Sequence, residues 1–276
     1  MTIASEVTAY RSDGTDPVNN WYVGKKVGEI WGYRASGIIQ TQEEADEYNA
    51  AYDLSHLSGV AWTPGDVKYI DLDGDEEISN GENRLGDMGD MTIIGNTTPR
   101  YQYTINGSIS WKGLSLSLMF QGVAKRDWAP ASGTAYFWGS NTLANTVVFK
   151  EHLDYWTEDN RDAYYPKPYV AGSGAVGRYR NKTSQTADRY LQSAAYCRLK
   201  NLTISYNLPE KWISKIHLTK AQIFFSGENL LTFTKLPGMF DPEGLFTANS
   251  YDNTLSQAGK NYPMNKVFSI GVILNM

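Results

Sequence analysis

The sequence has 276 residues and a net charge of −5, a balance that disfavours a broad basic surface for nucleic acid. Aromatic residues make up 13% of the chain and glycine occurs 25 times, which is typical of strands and turns rather than of a helical bundle. Cys197 is the single cysteine, so an internal disulfide and a cysteine-based zinc site are both excluded.

The first part of the chain predicts a strand, a helix and a long acidic loop. The strand lies at about residues 27–39, and the helix follows directly at about 41–54. Thr41 and Glu44 have the spacing of a capping box, in which the hydroxyl accepts from the amide of the third helical residue and the glutamate reaches back. Residues 58–97 then form an irregular acidic stretch, which we expect to be an extracellular loop.

One motif in the acidic stretch, at residues 71–82, has the spacing of a calcium-binding loop. Calcium takes six to eight oxygen ligands, and a twelve-residue loop supplies them at alternate positions with a glutamate at the end. The candidate ligands are Asp71, Asp73, Asp75, Glu77 and Glu82. Ile78 matches the apolar anchor of such loops, but Glu76 stands where glycine is usual, so a solvated acidic turn is the alternative. We expect calcium in this loop to be structural.

Residues 101–121 predict a β-hairpin with one apolar and one polar face, because a strand turns successive side chains to opposite sides. Two runs of about ten residues flank the turn Lys112-Gly113. This length suits a tilted strand that crosses a bilayer, about 9 to 11 residues, better than a globular strand of about five or six. The apolar face begins at Tyr101 and ends at Trp111, as aromatic girdles at both membrane interfaces require.

Three later segments repeat the alternation, at residues 202–208, 221–233 and 266–276. The connections between strands are short on one side and long on the other, since 112–113 is a two-residue turn whereas 122–195 and 234–263 are long loops. Outer-membrane barrels have short periplasmic turns and long extracellular loops, so we expect the long-loop side to be extracellular.

The long loop at 122–195 is rich in tryptophan and tyrosine. Exposed aromatic side chains stack on sugar rings or anchor protein partners. The candidate substrate or partner contacts are Trp128, Trp138, Trp156 and Tyr165. The alternative is that the loops pack on one another through their own aromatic side chains, and we expect this for most of these residues.

Five segments carry recognisable motifs in a fixed order. They are residues 28–45 (GEIWGYRASGIIQTQEEA), 64–78 (PGDVKYIDLDGDEEI), 94–122 with its FQG ending, 196–209 (YCRLKNLTISYNLP) and 226–238 (SGENLLTFTKLPG). In this order they resemble the SusC/RagA family of TonB-dependent outer-membrane receptors. The resemblance covers roughly residues 24–276.

The resemblance implies an all-β fold in which residues 1–276 are the C-terminal strands of a large antiparallel transmembrane β-barrel, with long extracellular loops and one short helix. The complete barrel would have about 22 strands, and its plug and N-terminal strands would be absent from this chain. The implied function is import of bulky nutrients, glycans or peptides, across the outer membrane. The implied partners are outer-membrane lipid, a SusD-like lipoprotein, and TonB–ExbB–ExbD acting through the missing N-terminal part.

No hydrolase, nucleotide-binding or zinc-protease motif occurs in the sequence, so we predict no catalytic or cofactor-binding residues and do not expect an enzyme. The alternative function is a secreted or surface β-sandwich module that binds carbohydrate. The placement of the apolar strand faces separates the two, because a barrel turns them to lipid whereas a sandwich buries them between sheets.

Overall fold

The computed structural model describes residues 6–8, 14–132, 134–139, 147–169, 181–245 and 264–275. The chain divides into two compact units, here called the loop unit and the sheet unit. The loop unit comprises Met1–Thr98, Asp127–Gln192 and Pro237–Asn261, and the sheet unit comprises Pro99–Arg126, Ser193–Leu236 and Tyr262–Met276. Within the described ranges, no helix is both long and apolar enough to cross a membrane.

Strands dominate the secondary structure. In chain order the first elements are β1 (Glu29–Gly32), β2 (Ala35–Ile38), α1 (Gln42–Ala51), β3 (Val67–Tyr69), β4 (Thr92–Asn96), β5 (Arg100–Trp111) and β6 (Leu114–Lys125). They are followed by β7 (Asp127–Trp128), α2 (Ala135–Trp138), β8 (Gln192–Ser193), β9 (Tyr196–Asn207), α3 (Glu210–Ile213), β10 (Lys220–Thr234) and β11 (Val267–Asn275). Short 3-10 turns lie at Lys150–Leu153, Asp188–Tyr190 and Ser214–Ile216.

The strand predicted at 27–39 is two strands with different partners. β1 pairs antiparallel with β4, whereas β2 pairs antiparallel with β3. Between them the Tyr33 amide donates to the Thr186 carbonyl (2.9 Å), and the Tyr33 carbonyl accepts from the Asp188 amide (3.1 Å). The backbone of Tyr33 is therefore hydrogen-bonded to a distant loop. At this point the pairing changes from β1 with β4 to β2 with β3.

Helix α1 begins as predicted, with Thr41 as its N-cap. The Thr41 hydroxyl accepts from the Glu44 amide at 3.2 Å, which satisfies one of the free donors of the first turn. The Glu44 carboxylate accepts from the Gln40 amide at 2.8 Å, one residue earlier than the capping box predicts. Its other oxygen pairs with Lys68, so the same side chain joins the helix start to β3.

The sheet unit is one antiparallel sheet in the order β11-β10-β9-β6-β5. Its register aligns the alternating side chains of all five strands, so that apolar rows alternate with polar rows. One apolar row is Ile109, Leu116, Ile204, Phe225 and Ile270. The adjacent row, on the opposite face, is Ser108, Ser117, Thr203, Ser226 and Ser269. The predicted hairpin at 101–121 is β5 and β6, with Lys112 and Gly113 in the turn at φ 46° and 87°.

Candidate functional site

One face of the sheet unit is an apolar surface, here called the outer face. Its side chains remain exposed on all five strands, and Ile109 and Ile270 are 66% and 80% exposed. Further exposed members are Ile105, Trp111, Leu114, Ile204, Ile223, Phe268, Val272 and Leu274. Contiguous exposed apolar surfaces of this extent mark contact with a membrane or a protein, because water solvates them poorly.

The opposite face of the sheet carries small polar side chains that bond to one another across strands. The Ser110 and Ser115 hydroxyls lie 2.8 Å apart, and the Gln222 amide donates to the Ser205 hydroxyl at 3.0 Å. Met119, Phe224 and Ile273 are apolar exceptions on this face. Phe224 lies over Gly271, where a Cβ atom would come within 2.4 Å of the ring. The face also carries the charged residues Arg198 and Glu228. A polar, hydrogen-bonding face opposite an apolar one suits a hydrated barrel interior.

In the acidic loop three carboxylates converge. Asp71, Asp73 and Asp90 each offer one oxygen within 4.8 Å of the others. Asp71 and Asp73 belong to the predicted calcium set, whereas Asp90 was missed because it lies outside the 71–82 motif. The other predicted ligands, Asp75, Glu77 and Glu82, are outside this group. Calcium binding by this loop stays a prediction.

The backbone of the acidic loop turns sharply at residues 74–76. Glu76 adopts φ 66° at the position where calcium loops usually have glycine, and Gly74 adopts φ 81°. The Asp71 carboxylate accepts from the Gly74 amide (2.6 Å) and the Glu76 amide (3.1 Å), which closes the turn. Ile78, the apolar residue of the motif, is fully buried.

Asp90 is a buried carboxylate that holds the loop together. It accepts from the Leu72 amide at 2.5 Å and from the Ser79 amide at 3.0 Å. Burial raises the pKa of Asp90, and these two backbone donors oppose that rise because they stabilise the ionised form. Asp90 therefore connects the two ends of the 71–82 motif without lying in it.

Several aromatic residues of the long loop form a buried cluster in the loop unit. Phe137 is fully buried at the centre of this cluster. Its ring lies 4.9 to 6.4 Å, between centroids, from those of Trp128, Trp138, Tyr164, Tyr165, Tyr190 and Phe240. Most of these pairs are edge-to-face, the arrangement that aromatic quadrupoles favour.

All four aromatic contact candidates, Trp128, Trp138, Trp156 and Tyr165, are buried in this structure. The Trp138 indole donates to the Ala131 carbonyl at 2.9 Å. The Trp156 indole donates to the Gln40 side chain at 3.1 Å. Packing of the loops on one another is thus the role observed here, and a direct role in binding a substrate or partner stays a prediction.

A buried ion pair that the sequence did not reveal joins two loops of the loop unit. The Lys182 ammonium donates to the Asp66 carboxylate at 2.6 Å and to the Ala61 carbonyl at 2.8 Å, and both charged side chains are at most 1% exposed. Asp66 also accepts from the Thr63 amide (2.8 Å) and the Tyr169 hydroxyl (2.5 Å). Burial lowers the pKa of Lys182, and the neighbouring Asp66 opposes that shift. The pair is enclosed, so its role is structural.

Comparisons with known proteins place this geometry in a family. The chain is 30% identical over 256 residues to TonB-dependent receptor P3 of Formosa agariphila, a match that covers 92% of this chain and 22% of the relative. It is 24% identical over 252 residues to TonB-dependent receptor P26 of the same organism, covering 91% of this chain and 23% of that relative. The chain belongs to the SusC/RagA-like TonB-dependent receptors. It spans about a fifth of the length of these curated relatives, and no protein-family model matches it.

Solved structures share the fold of this SusC/RagA-like chain. The structure of the RagAB peptide transporter matches with a TM-score of 0.55 and 23% identity, over 92% of this chain and 23% of that one. The RagAB peptide importer in its open-open state matches with a TM-score of 0.59 and 20% identity, over 98% and 25%. The predicted fold class, strands of a large antiparallel transmembrane β-barrel, is confirmed. The five strands form an open sheet in this chain.

The SusC/RagA-like fold accounts for the exposed outer face. In a β-sandwich a second sheet would cover the apolar rows, whereas here they stay exposed on a single layer. This disfavours the carbohydrate-binding sandwich as the alternative fold. The named relatives are receptors and the named structural neighbours are transporters, which agrees with the absence of catalytic motifs from the sequence.

Proposed function

We propose that this chain forms the C-terminal wall of a TonB-dependent outer-membrane transporter that imports bulky nutrients. The observation that carries the proposal is the continuous apolar outer face of the sheet unit. On β5 it runs from Tyr101 to Trp111, ten residue steps that rise about 3.4 Å each. At a tilt of about 45° this distance spans about 24 Å of depth, close to the apolar band of about 25 Å in outer-membrane barrels.

The proposed substrates are oligosaccharides, with peptides as the competing class. Tyr155 stays exposed on the loop unit and offers a ring on which a sugar could stack, whereas the RagAB neighbours are named a peptide transporter and a peptide importer. A SusD-like lipoprotein would cover the long-loop side. Energy would come from TonB–ExbB–ExbD acting on the complete receptor.

Fractionation of the source cells tests the proposed location. An antibody raised against this chain should detect an outer-membrane band several times larger than the chain. That band should also change its migration on heating, as folded barrels do. A secreted or soluble band of the size of this chain would refute the proposal and favour a separate binding module.

Growth of a deletion strain tests the proposed transport. Loss of the receptor gene should abolish growth on one class of large oligosaccharide while growth on its monosaccharide is retained. Loss of growth on oligopeptides alone would instead assign peptides as the substrate. Unchanged growth on both classes, with the protein confirmed in the outer membrane of the wild type, would contradict the import function.

A further inference from the structure

One end of the sheet unit, here called the short-turn end, gathers the β5–β6 turn at 112–113, the β9–β10 connection at 208–219 and the end of β11. Backbone hydrogen bonds hold these segments together. The Asn207 amide donates to the Gly113 carbonyl at 2.8 Å, and the Thr219 amide donates to the Asn275 carbonyl at 2.9 Å. Short connections of outer-membrane barrels face the periplasm, so this end would meet the inner leaflet of the outer membrane.

Two tryptophans project from the short-turn end. Trp111 ends the apolar outer face of β5 and is 68% exposed, and Trp212 on α3 is 58% exposed. Ile213, next to Trp212, is buried and anchors the short helix while the indole stays outside. Tryptophan favours membrane interfaces because its ring is apolar and its N–H group needs a polar partner.

The same end carries an excess of positive charge. Lys112, Lys211, Lys215 and Lys220 are all exposed. Over residues 109–116, 205–222 and 273–275, which the structure describes, Glu210 is the one acidic residue. The Lys112 ammonium lies 4.9 Å from the centroid of the Trp111 ring, so cation and aromatic ring share the edge of the apolar face. Lysine at such an edge covers apolar surface with its stem while its head reaches water and phosphate.

We propose that the short-turn end binds the phosphate groups of anionic glycerophospholipids in the periplasmic leaflet. The inference rests on the proposed membrane function, and it adds a lipid class and a set of residues to it. The charge excess is complementary to an anionic headgroup, and the lysines are continuous with the apolar face that would contact the acyl chains. A soluble anion would account for the lysines, but it would not account for the adjoining exposed tryptophans.

Native mass spectrometry of the complete receptor, titrated with phosphatidylglycerol or phosphatidylcholine, tests this inference. The test variant combines Lys112→Gln, Lys211→Gln and Lys215→Gln. The matched control combines Arg100→Gln, Lys125→Gln and Lys235→Gln, which are exposed residues at the other end of the same sheet. Each lysine near an anionic surface contributes about a fivefold preference, so the test variant should lose about 100-fold in phosphatidylglycerol retention. The control should bind like the wild type, and phosphatidylcholine retention should be equal in all three proteins.

Equal phosphatidylglycerol retention by test variant and wild type would overturn the proposal, as would an equal loss in the control. Release of a co-purifying acidic protein with unchanged lipid retention would assign the lysines to a protein contact instead. Heat-modifiable migration monitors folding, and if the triple variant fails this check, Lys112→Gln alone should lose about fivefold. A wild-type receptor that neither migrates in this way nor retains phospholipid would refute the membrane function itself.

Discussion

A single lysine placed on the outer face should destabilise the barrel according to its depth in the membrane. Ile105 lies four residues from Tyr101 and six from Trp111 on β5, so it is about 10 Å below one aromatic end and about 14 Å from the other. That position is close to the midplane of the apolar band. Ile105 is 59% exposed on the outer face, and its cross-strand neighbour is Phe120, so a lysine there would stand beside an apolar side chain. Ile105→Lys should therefore cost about 2 to 4 kcal/mol of folding free energy.

Asn106→Lys is the matched control, because it places the same charge one residue further along on the polar face. It should change the folding free energy by well under 1 kcal/mol, since that face is hydrated. Urea-dependent folding of the complete receptor into lipid vesicles, followed by heat-modifiable migration, measures both variants. Equal costs for the two lysines would refute the assignment of the outer face to lipid. A larger cost for Asn106→Lys than for Ile105→Lys would mean that the polar face, and not the outer face, contacts lipid.

Three further changes test the loop unit, each measured by chemical denaturation of the complete receptor with Trp fluorescence or hydrogen exchange of this unit as the readout. Lys182→Met should cost about 3 to 5 kcal/mol because it leaves Asp66 buried without its cation, and adding Asp66→Asn should recover part of that loss. Phe137→Ala should cost about 3 to 5 kcal/mol and speed exchange at 134–139, while an unchanged stability would contradict the aromatic core. Burial lowers the pKa of His152, so the folded state favours the neutral ring and the unit should lose stability as the pH falls below about 6.5. His152→Asn should flatten that dependence, and an unchanged pH profile would exclude His152 as its source.

The sheet could be predicted from the sequence wherever alternation was uninterrupted. The hairpin β5–β6 was found with its turn at Lys112-Gly113, because period-2 patterning and a glycine turn are both local signals. The predicted strand at 202–208 is in fact longer, since β9 begins at Tyr196. Met119 pairs with Asn201 but Phe120 pairs with Leu199, so Lys200 is skipped in the register. Because of this irregularity, the apolar side chains of the outer face stand at odd positions before Lys200 and at even positions after it. The change of parity hides the first half of the strand from a simple alternation test.

The candidate site was predictable only in its local part. Asp71 and Asp73 lie in one short motif, whereas Asp90 lies outside it. Asp90 comes close to them only because the chain folds back after Ser79, whose amide donates to the Asp90 carboxylate. Lys182 and Asp66 are 116 residues apart, and nothing in the residues around either one indicates its partner. Pairs that form only when distant loops meet carry no periodicity or spacing. They require the tertiary structure.

Aromatic content alone does not locate a binding surface in this family member. Trp111 ends a regular strand whose alternation turns it outward, so its exposure follows from the pleat of the sheet. The tryptophans of the irregular loop are buried instead: Trp128, Trp138 and Trp156. A loop unit with its own aromatic interior does not need a substrate to bury these rings, so its contacts with other molecules must come from side chains left outside that interior. Within the described residues of this loop, Leu153 and Tyr155 are two such side chains.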